Sequence, residues 1–292
     1  MSGNSHLPGF TERHGDVRGV RLRWFEAGAG SEVVLVHGLG GAASNWTLVA
    51  PELTARSRVV VPDLPGHGGS TALPAPSETL DPYADRVAAL LDSPAVLAGH
   101  STGAVVALRL AARHPHLVRG LLLAAPSGIG SGTRRSARYL ALAGVLRPAQ
   151  RIAPLAETIA RRSRVRRLVF GPVAVADPRA LQPAAVRGFL AGSAEYTDFR
   201  AAAQALVASD PRLDLERVCC RALVLHGARD PQVPLRDGFE YARRLRAPLR
   251  VVADCGHLLI GERPAAVVDA IEALLDRVRE VDELPLDAEP LG

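Results

Sequence analysis

The 292-residue chain contains no lysine; all 35 of its basic residues are arginine. Beside so much alanine, that reads as the compositional bias of a genome rather than as a function. Aromatic residues make up only 4% of the chain, against 48% hydrophobic residues, so the core must be built mainly from Ala, Leu and Val. There are three cysteines, Cys219, Cys220 and Cys255, two of them adjacent. They cannot form a disulfide framework and have no metal-ligand spacing, so a reducing cytoplasm is the expected compartment. No apolar run approaches the length of a membrane span. The polar start, Met1–Gly9, has no signal-peptide core. No nucleic-acid-binding fingerprint is present, and a net charge of +5 is modest.

The most informative stretch is Ala95 to Leu110, A-V-L-A-G-H-S-T-G-A-V-V-A-L-R-L. Ala95–Ala98 reads as a short buried strand and Ala104–Ala112 as a helix. Gly99-His100-Ser101-Thr102-Gly103 lies between them as a sharp turn. A Cβ at Gly99 or Gly103 would clash where the chain passes close to itself. The turn lifts the Ser101 hydroxyl clear of the sheet edge, at the positive end of the new helix. A nucleophilic serine needs that placement.

On this G-x-S-x-G segment the chain resembles the alpha/beta-hydrolase superfamily at its nucleophile elbow. The surrounding pattern agrees. Short apolar runs at Val33–Val36, Val59–Val61, Leu121–Ala124, Ala222–Leu225 and Leu249–Ala253 alternate with helical stretches at Trp46–Leu53, Pro82–Leu91 and Pro264–Val281. That alternation predicts an α/β fold with a mostly parallel central sheet and helices on both faces. Residues 1–12 read as a loose lead-in and Val17–Glu26 as an edge hairpin. Asn45 reads as the cap of the helix at Trp46, and Trp46 itself as core. The acidic end, Asp282–Gly292, reads as frayed. Between Leu121–Ala124 and Ala222 the chain is helical and too long for an ordinary crossover. Residues 128–208 are therefore expected to form a helical cap (lid) inserted into a core of residues 1–127 and 209–292. The resemblance spans about Val17 to Val281 and tells least about the cap.

A serine hydroxyl needs a general base and a group that fixes the base's tautomer. The resemblance points to His257, just past the last strand in V-V-A-D-C-G-H-L-L, as the base; the alternative is a loop histidine facing solvent. The acid it implies is Asp230, in Gly227-Ala228-Arg229-Asp230, matching the family's strand, G-x-x-D and following proline. Some relatives carry the acid one strand earlier. Here that place reads Ala124-Ala125-Pro126-Ser127, without a carboxylate. Asp254 competes, but it lies three residues before His257 and suits a loop-bonding role. The order Ser101, Asp230, His257 is the order of this superfamily. By the same resemblance the oxyanion hole is formed by the backbone N–H groups of Leu39, in His37-Gly38-Leu39-Gly40-Gly41, and of Thr102. Asp63-Leu64-Pro65-Gly66-His67-Gly68-Gly69-Ser70 resembles the family's D-x-x-G-x-G-x-S turn. There His67, like His100 in the elbow, is read as structural.

These residues imply two-step acyl transfer on a small-molecule acyl substrate, a carboxylic ester, lactone or thioester, with no cofactor and no metal. A serine at the elbow argues against the dehalogenase and epoxide-hydrolase branches, which place aspartate there. Gly38-Leu39-Gly40-Gly41 departs from the G-G-P-G of prolyl aminopeptidases. The meta-cleavage-product C–C hydrolases tend toward a proline in that loop, yet share triad and cap, so they stay the alternative, together with a biosynthetic-pathway hydrolase on the same triad. Perhydrolysis as a side activity and a non-catalytic binder on the same scaffold are weaker readings. The cap is rich in arginine (Arg134, Arg135, Arg138, Arg147, Arg151, Arg161, Arg162, Arg164, Arg166, Arg167), mostly expected in solvent. One or two could hold a carboxylate or phosphate in the cleft, or dock an acidic carrier protein or an anionic membrane. Leu140, Leu142, Val145, Leu146, Ile152, Leu155 and Ile159 either pack the cap on the core or line an acyl pocket. A homodimer is the remaining partner expectation.

Overall fold

The computed structural model describes residues 6–130, 148–171, 174–195 and 198–282. Eight strands form one sheet in the order β1-β2-β4-β3-β5-β6-β7-β8. They are β1 (Thr11–Val17), β2 (Val20–Ala27), β3 (Ser31–Val36), β4 (Ser57–Pro62), β5 (Ala95–His100), β6 (Val118–Ala124), β7 (Arg221–Gly227) and β8 (Leu249–Val252). β1 pairs with β2, and β2 with β4, antiparallel; the pairs from β4 through β3, β5, β6 and β7 to β8 are parallel. This is the alpha/beta-hydrolase fold, with helices on both faces and a helical insertion between β6 and β7.

The continuous apolar runs are explained by burial on two faces. In β3, Val33 and Leu35 point into one core layer with Val59, Val61, Leu223 and Leu225, against the helix Pro264–Asp282. Val34 and Val36 point into the other, with Val60, Leu97 and Leu121, against the helices Asp81–Ala88 and Thr102–Arg113. Trp46 is fully buried in the first layer, as a core residue.

The hairpin begins at Thr11, inside the stretch read as a loose lead-in, and turns at Arg18-Gly19. Both turn residues have positive φ, 52° and 76°. That is the two-residue turn whose twist suits a hairpin. Trp46–Leu53 is not one helix. A 3-10 turn, Ala43–Trp46, is followed by a separate short helix, Ala50–Leu53. Pro51 has no N–H to offer a continuous helix, so the chain breaks there. Asn45 accordingly caps no long helix; its Oδ1 accepts the Ala42 N–H at 3.3 Å.

The insertion contributes helices at Pro148–Ile152, Ala156–Arg161, Ser163–Phe170, Pro183–Glu195 and Phe199–Ala208. Pro183–Glu195 lies backbone-close on the turn Ala43–Trp46. There Gly188 and Gly192 leave no room for a Cβ, and Ser44 Oγ donates to the Gly188 carbonyl at 2.8 Å. Ile159 is buried and Ile152 half-buried in the first core layer, whereas Leu155 is exposed. Arg161, Arg162, Arg164 and Arg167 face solvent. Arg134, Arg135, Arg138, Arg147, Leu140, Leu142, Val145 and Leu146 lie outside the described residues, as do 283–292 of the acidic end. Among the described residues no helix is long and apolar enough to cross a membrane.

Candidate active site

The turn from β5 into the helix Thr102–Arg113 holds Ser101 at φ 55°, ψ −118°, a strained conformation for a residue with a side chain. The Ser101 N–H is anchored to the Ala124 carbonyl of β6 at 2.9 Å. Gly99 and Gly103 are as tight as the sequence demands. A Cβ on Gly99 would overlap the Gly103 carbonyl and Ala104, and one on Gly103 the carbonyl oxygens of Val36 and His37. These are backbone atoms with nowhere to go. Gly103→Ala is therefore expected to cost about 3 kcal/mol or more of stability, read as a lowered urea midpoint.

The loops after β7 and β8 bring two more side chains to Ser101. His257 Nε2 lies 3.0 Å from Ser101 Oγ, and His257 Nδ1 lies 2.8 Å from Asp230 Oδ2. A carboxylate can only accept, so Nδ1 carries the proton and Nε2 is left to accept from the hydroxyl. Asp230 Oδ1 accepts the backbone N–H groups of Gln232 at 2.8 Å and Val233 at 2.9 Å. Burial pushes the Asp230 carboxyl up, but its interaction and hydrogen bond with His257 and the two amides outweigh that. The net pKa lies below the ordinary carboxylate value. Asp254 points elsewhere, exposed, 3.8 Å from Arg229.

The loop His37–Gly41 abuts the elbow. A Cβ on Gly38 would stand 3.2 Å from the Ser101 Cβ. Among the described residues neither the Leu39 nor the Thr102 N–H has a hydrogen-bond partner. His37 braces this loop as a neutral ring: Nδ1–H donates to the Gly38 carbonyl at 2.8 Å, and Nε2 accepts the Leu64 N–H at 3.0 Å. His100 Nε2–H donates to the His257 carbonyl at 2.8 Å. Burial is the main cause that pushes the pKa of His37 down to about 4 and of His100 to about 3. His67 donates to the Pro65 carbonyl at 3.0 Å and packs on His37, far from a base's position on Ser101.

Asp63 ties the neighbouring turns together. Its carboxylate accepts from Arg23 Nε at 2.6 Å, from the Gly69 N–H at 2.9 Å and from the Ala43 N–H at 2.7 Å. Arg23, itself buried, reaches on to Glu195 in the insertion at 3.2 Å. A second carboxylate, Glu262, went unmarked in the sequence. It accepts the N–H groups of Gly256 at 2.8 Å, Ala176 at 2.9 Å and Asp177 at 3.1 Å. It thereby joins the inserted segment to the residue before His257, beside two further bonds to the Ala174 carbonyl from the His257 and Leu258 N–H groups. A lone acidic residue in the apolar run Leu258–Ile260-Gly-Glu262 was the one available signal.

The family model described as the alpha/beta hydrolase family matches residues 33–270. The chain belongs to the alpha/beta hydrolase family. The chain is 30% identical over 252 residues to the 2-hydroxymuconate semialdehyde hydrolase of Pseudomonas sp. strain CF600, covering 82% of this chain and 84% of that one. It is 33% identical over 218 residues to a pimeloyl-(acyl-carrier protein) methyl ester esterase of Chromobacterium violaceum, covering 75% and 83%. A stretch of 134 residues, 44% of this chain, is 42% identical to the dihydrolipoyllysine-residue acetyltransferase component of the acetoin cleaving system of Pseudomonas putida. That match takes in only 36% of the relative's length. Among solved structures, a thermophilic esterase from Thermogutta terrifontis superposes on the chain with a TM-score of 0.70 at 26% identity, covering 92% of this chain and 98% of that one.

Proposed function

We propose that the protein is a serine hydrolase of small-molecule carboxylic esters, working through Ser101, His257 and Asp230. The observation that carries the reading is the unbroken hydrogen-bonded line from Ser101 Oγ through the His257 ring to a buried, ionised Asp230. A non-catalytic binder has no need of that line.

In this mechanism Ser101 Oγ attacks the ester carbonyl carbon while His257 Nε2 takes its proton. The carbonyl oxygen gains negative charge between the Leu39 and Thr102 N–H groups, both of which are unengaged and at hand. Asp230 holds the ring and stabilises the imidazolium. His257 then returns the proton to the leaving alcohol, leaving an acyl group on Ser101. Water, deprotonated by the same nitrogen, attacks the acyl carbon and frees the acid. The described helices of the insertion are read as a cap on the core, and the named esterase relative is consistent with the ester reading. The similarity to 2-hydroxymuconate semialdehyde hydrolase favours a second reading, in which the same residues cleave a C–C bond.

A fluorophosphonate probe is expected to label the protein stoichiometrically at Ser101, identified by peptide mass spectrometry, and to abolish hydrolysis of p-nitrophenyl butyrate. An unlabelled serine would leave the binder reading standing. Slow turnover of p-nitrophenyl esters beside fast turnover of a 2-hydroxy-6-oxodienoate would select the C–C reading.

A further inference from the structure

A wide, open depression of about 650 Å³ lies at the seam between the insertion and the core, and neither Ser101, His257 nor Asp230 lines it. Its walls carry four guanidinium groups, Arg167 and Arg179 from the insertion and Arg229 and Arg263 from the core, against two carboxylates, Asp177 and Asp254. Two positive charges are left over. The carboxylates do little to balance the insertion's side. Asp177 Oδ1 accepts the backbone N–H of Arg179 at 2.9 Å, and Asp254 faces Arg229 at 3.8 Å. Arg263 donates to the Glu262 carbonyl at 2.9 Å. Among the described residues the Arg167 and Arg179 guanidinium groups have no hydrogen-bond or ion-pair partner. Arg109, by contrast, is held by Asp81 and Asp214.

We propose that this depression is a binding site for a small, multiply charged phosphate ligand of the diphosphate class. Guanidinium forks match phosphate oxygens in pairs, and a concave wall concentrates their field. The four cations line the depression from both sides of the seam, so a ligand with several negative charges can engage more of them than one with a single charge. Such a ligand would bridge the insertion to the loops beside the triad. Arg229 is the residue before Asp230. The insertion's wall, Ala176 and Asp177, is the segment whose amides share the Glu262 carboxylate with Gly256, next to His257. The proposal does not depend on the hydrolase reading, since binding is measured without turnover.

The test is titration calorimetry of the whole protein with inorganic pyrophosphate in a low-chloride buffer, then at raised ionic strength. One-to-one binding that weakens with salt is expected. The double variant Arg167→Ala/Arg179→Ala should bind about tenfold more weakly or worse. Both side chains are exposed, so it should fold, and unchanged circular dichroism and melting temperature check this. Arg221→Ala/Arg250→Ala, two exposed arginines outside the depression, should bind as the parent does. Absence of saturable binding to the parent overturns the proposal. So does equal weakening in the two double variants, which would mean a diffuse basic surface, or no weakening in the Arg167/Arg179 pair. Citrate binding as tightly as pyrophosphate would overturn the phosphate assignment.

Discussion

Ser101→Ala is expected to fold as the parent does and to lose on the order of 10⁶-fold in kcat on a small activated ester. Alanine takes over the same φ of 55° and is no more strained there than serine, while every bond that builds the turn is made by backbone atoms. Stability in urea should therefore move little while turnover collapses. Asp230→Asn is the sharper companion. The Gln232 and Val233 N–H groups select the amide oxygen for the Oδ1 position, which turns the NH₂ group toward His257 Nδ1. That favours the tautomer protonated on Nε2, which can no longer accept the Ser101 proton. A loss of about 10⁴-fold is expected, with KM nearly unchanged. If Ser101→Ala kept a substantial share of the parent rate, with wild-type contamination excluded by mass spectrometry, the nucleophile would have to be another group.

What was legible in the sequence follows from how locally each feature is determined. β3 and β5 are buried on both faces and read as unbroken apolar runs. The elbow is a contact of the chain with itself, and Gly99 and Gly103 announce it because only glycine fits. Asp230 and His257 are pointed to by the family resemblance, from their places after β7 and after the edge strand β8. β1 escaped because nearly all of its residues are exposed, so it has no inward apolar face to detect. Its registry rests on backbone pairing and on surface contacts such as Arg13 with Glu26 at 2.8 Å. The break within Trp46–Leu53 was written in Pro51, but apolar periodicity outweighed it. Glu262 and Arg23 escaped for a different reason. The partners of Glu262 are backbone amides, which carry no residue signature, and those of Arg23 come from the turn at Asp63 and the insertion at Glu195. Arginine at a strand position reads as surface until the fold brings two carboxylates to it.

Acid should unfold this protein earlier than its carboxylates alone would predict. His37, His67 and His100 are buried, and burial pushes their pKa values from 6.5 down to about 4, about 4 and about 3. The unfolded chain takes up protons at these rings below pH 6.5 while the folded chain refuses them. Stability is therefore complete above that pH and is lost as pH falls toward 4. His37 shows why the folded state refuses: a proton on Nε2 would confront the Leu64 N–H that it now accepts. The slope rises from half of about 1.4 kcal/mol per pH unit at pH 6.5 toward the full value near pH 5, so each ring costs about 1.6 kcal/mol over that interval, or about 5 kcal/mol for the three. That is a large part of a typical folding free energy of about 5–15 kcal/mol. Buried carboxylates raised by desolvation, Glu32 and Glu262 among them, act in the opposite direction, because the folded state holds their protons more tightly. The histidine share is isolated by substitution. Urea unfolding of His67→Asn and His100→Gln between pH 6.5 and 5 should each give a dependence on pH that is shallower than the parent's by about 1 kcal/mol per unit on average, whatever their absolute stability. Parallel lines for parent and variants would mean that these rings are protonated in the folded protein, and the tautomer assigned to His37 beside the elbow would fall with them.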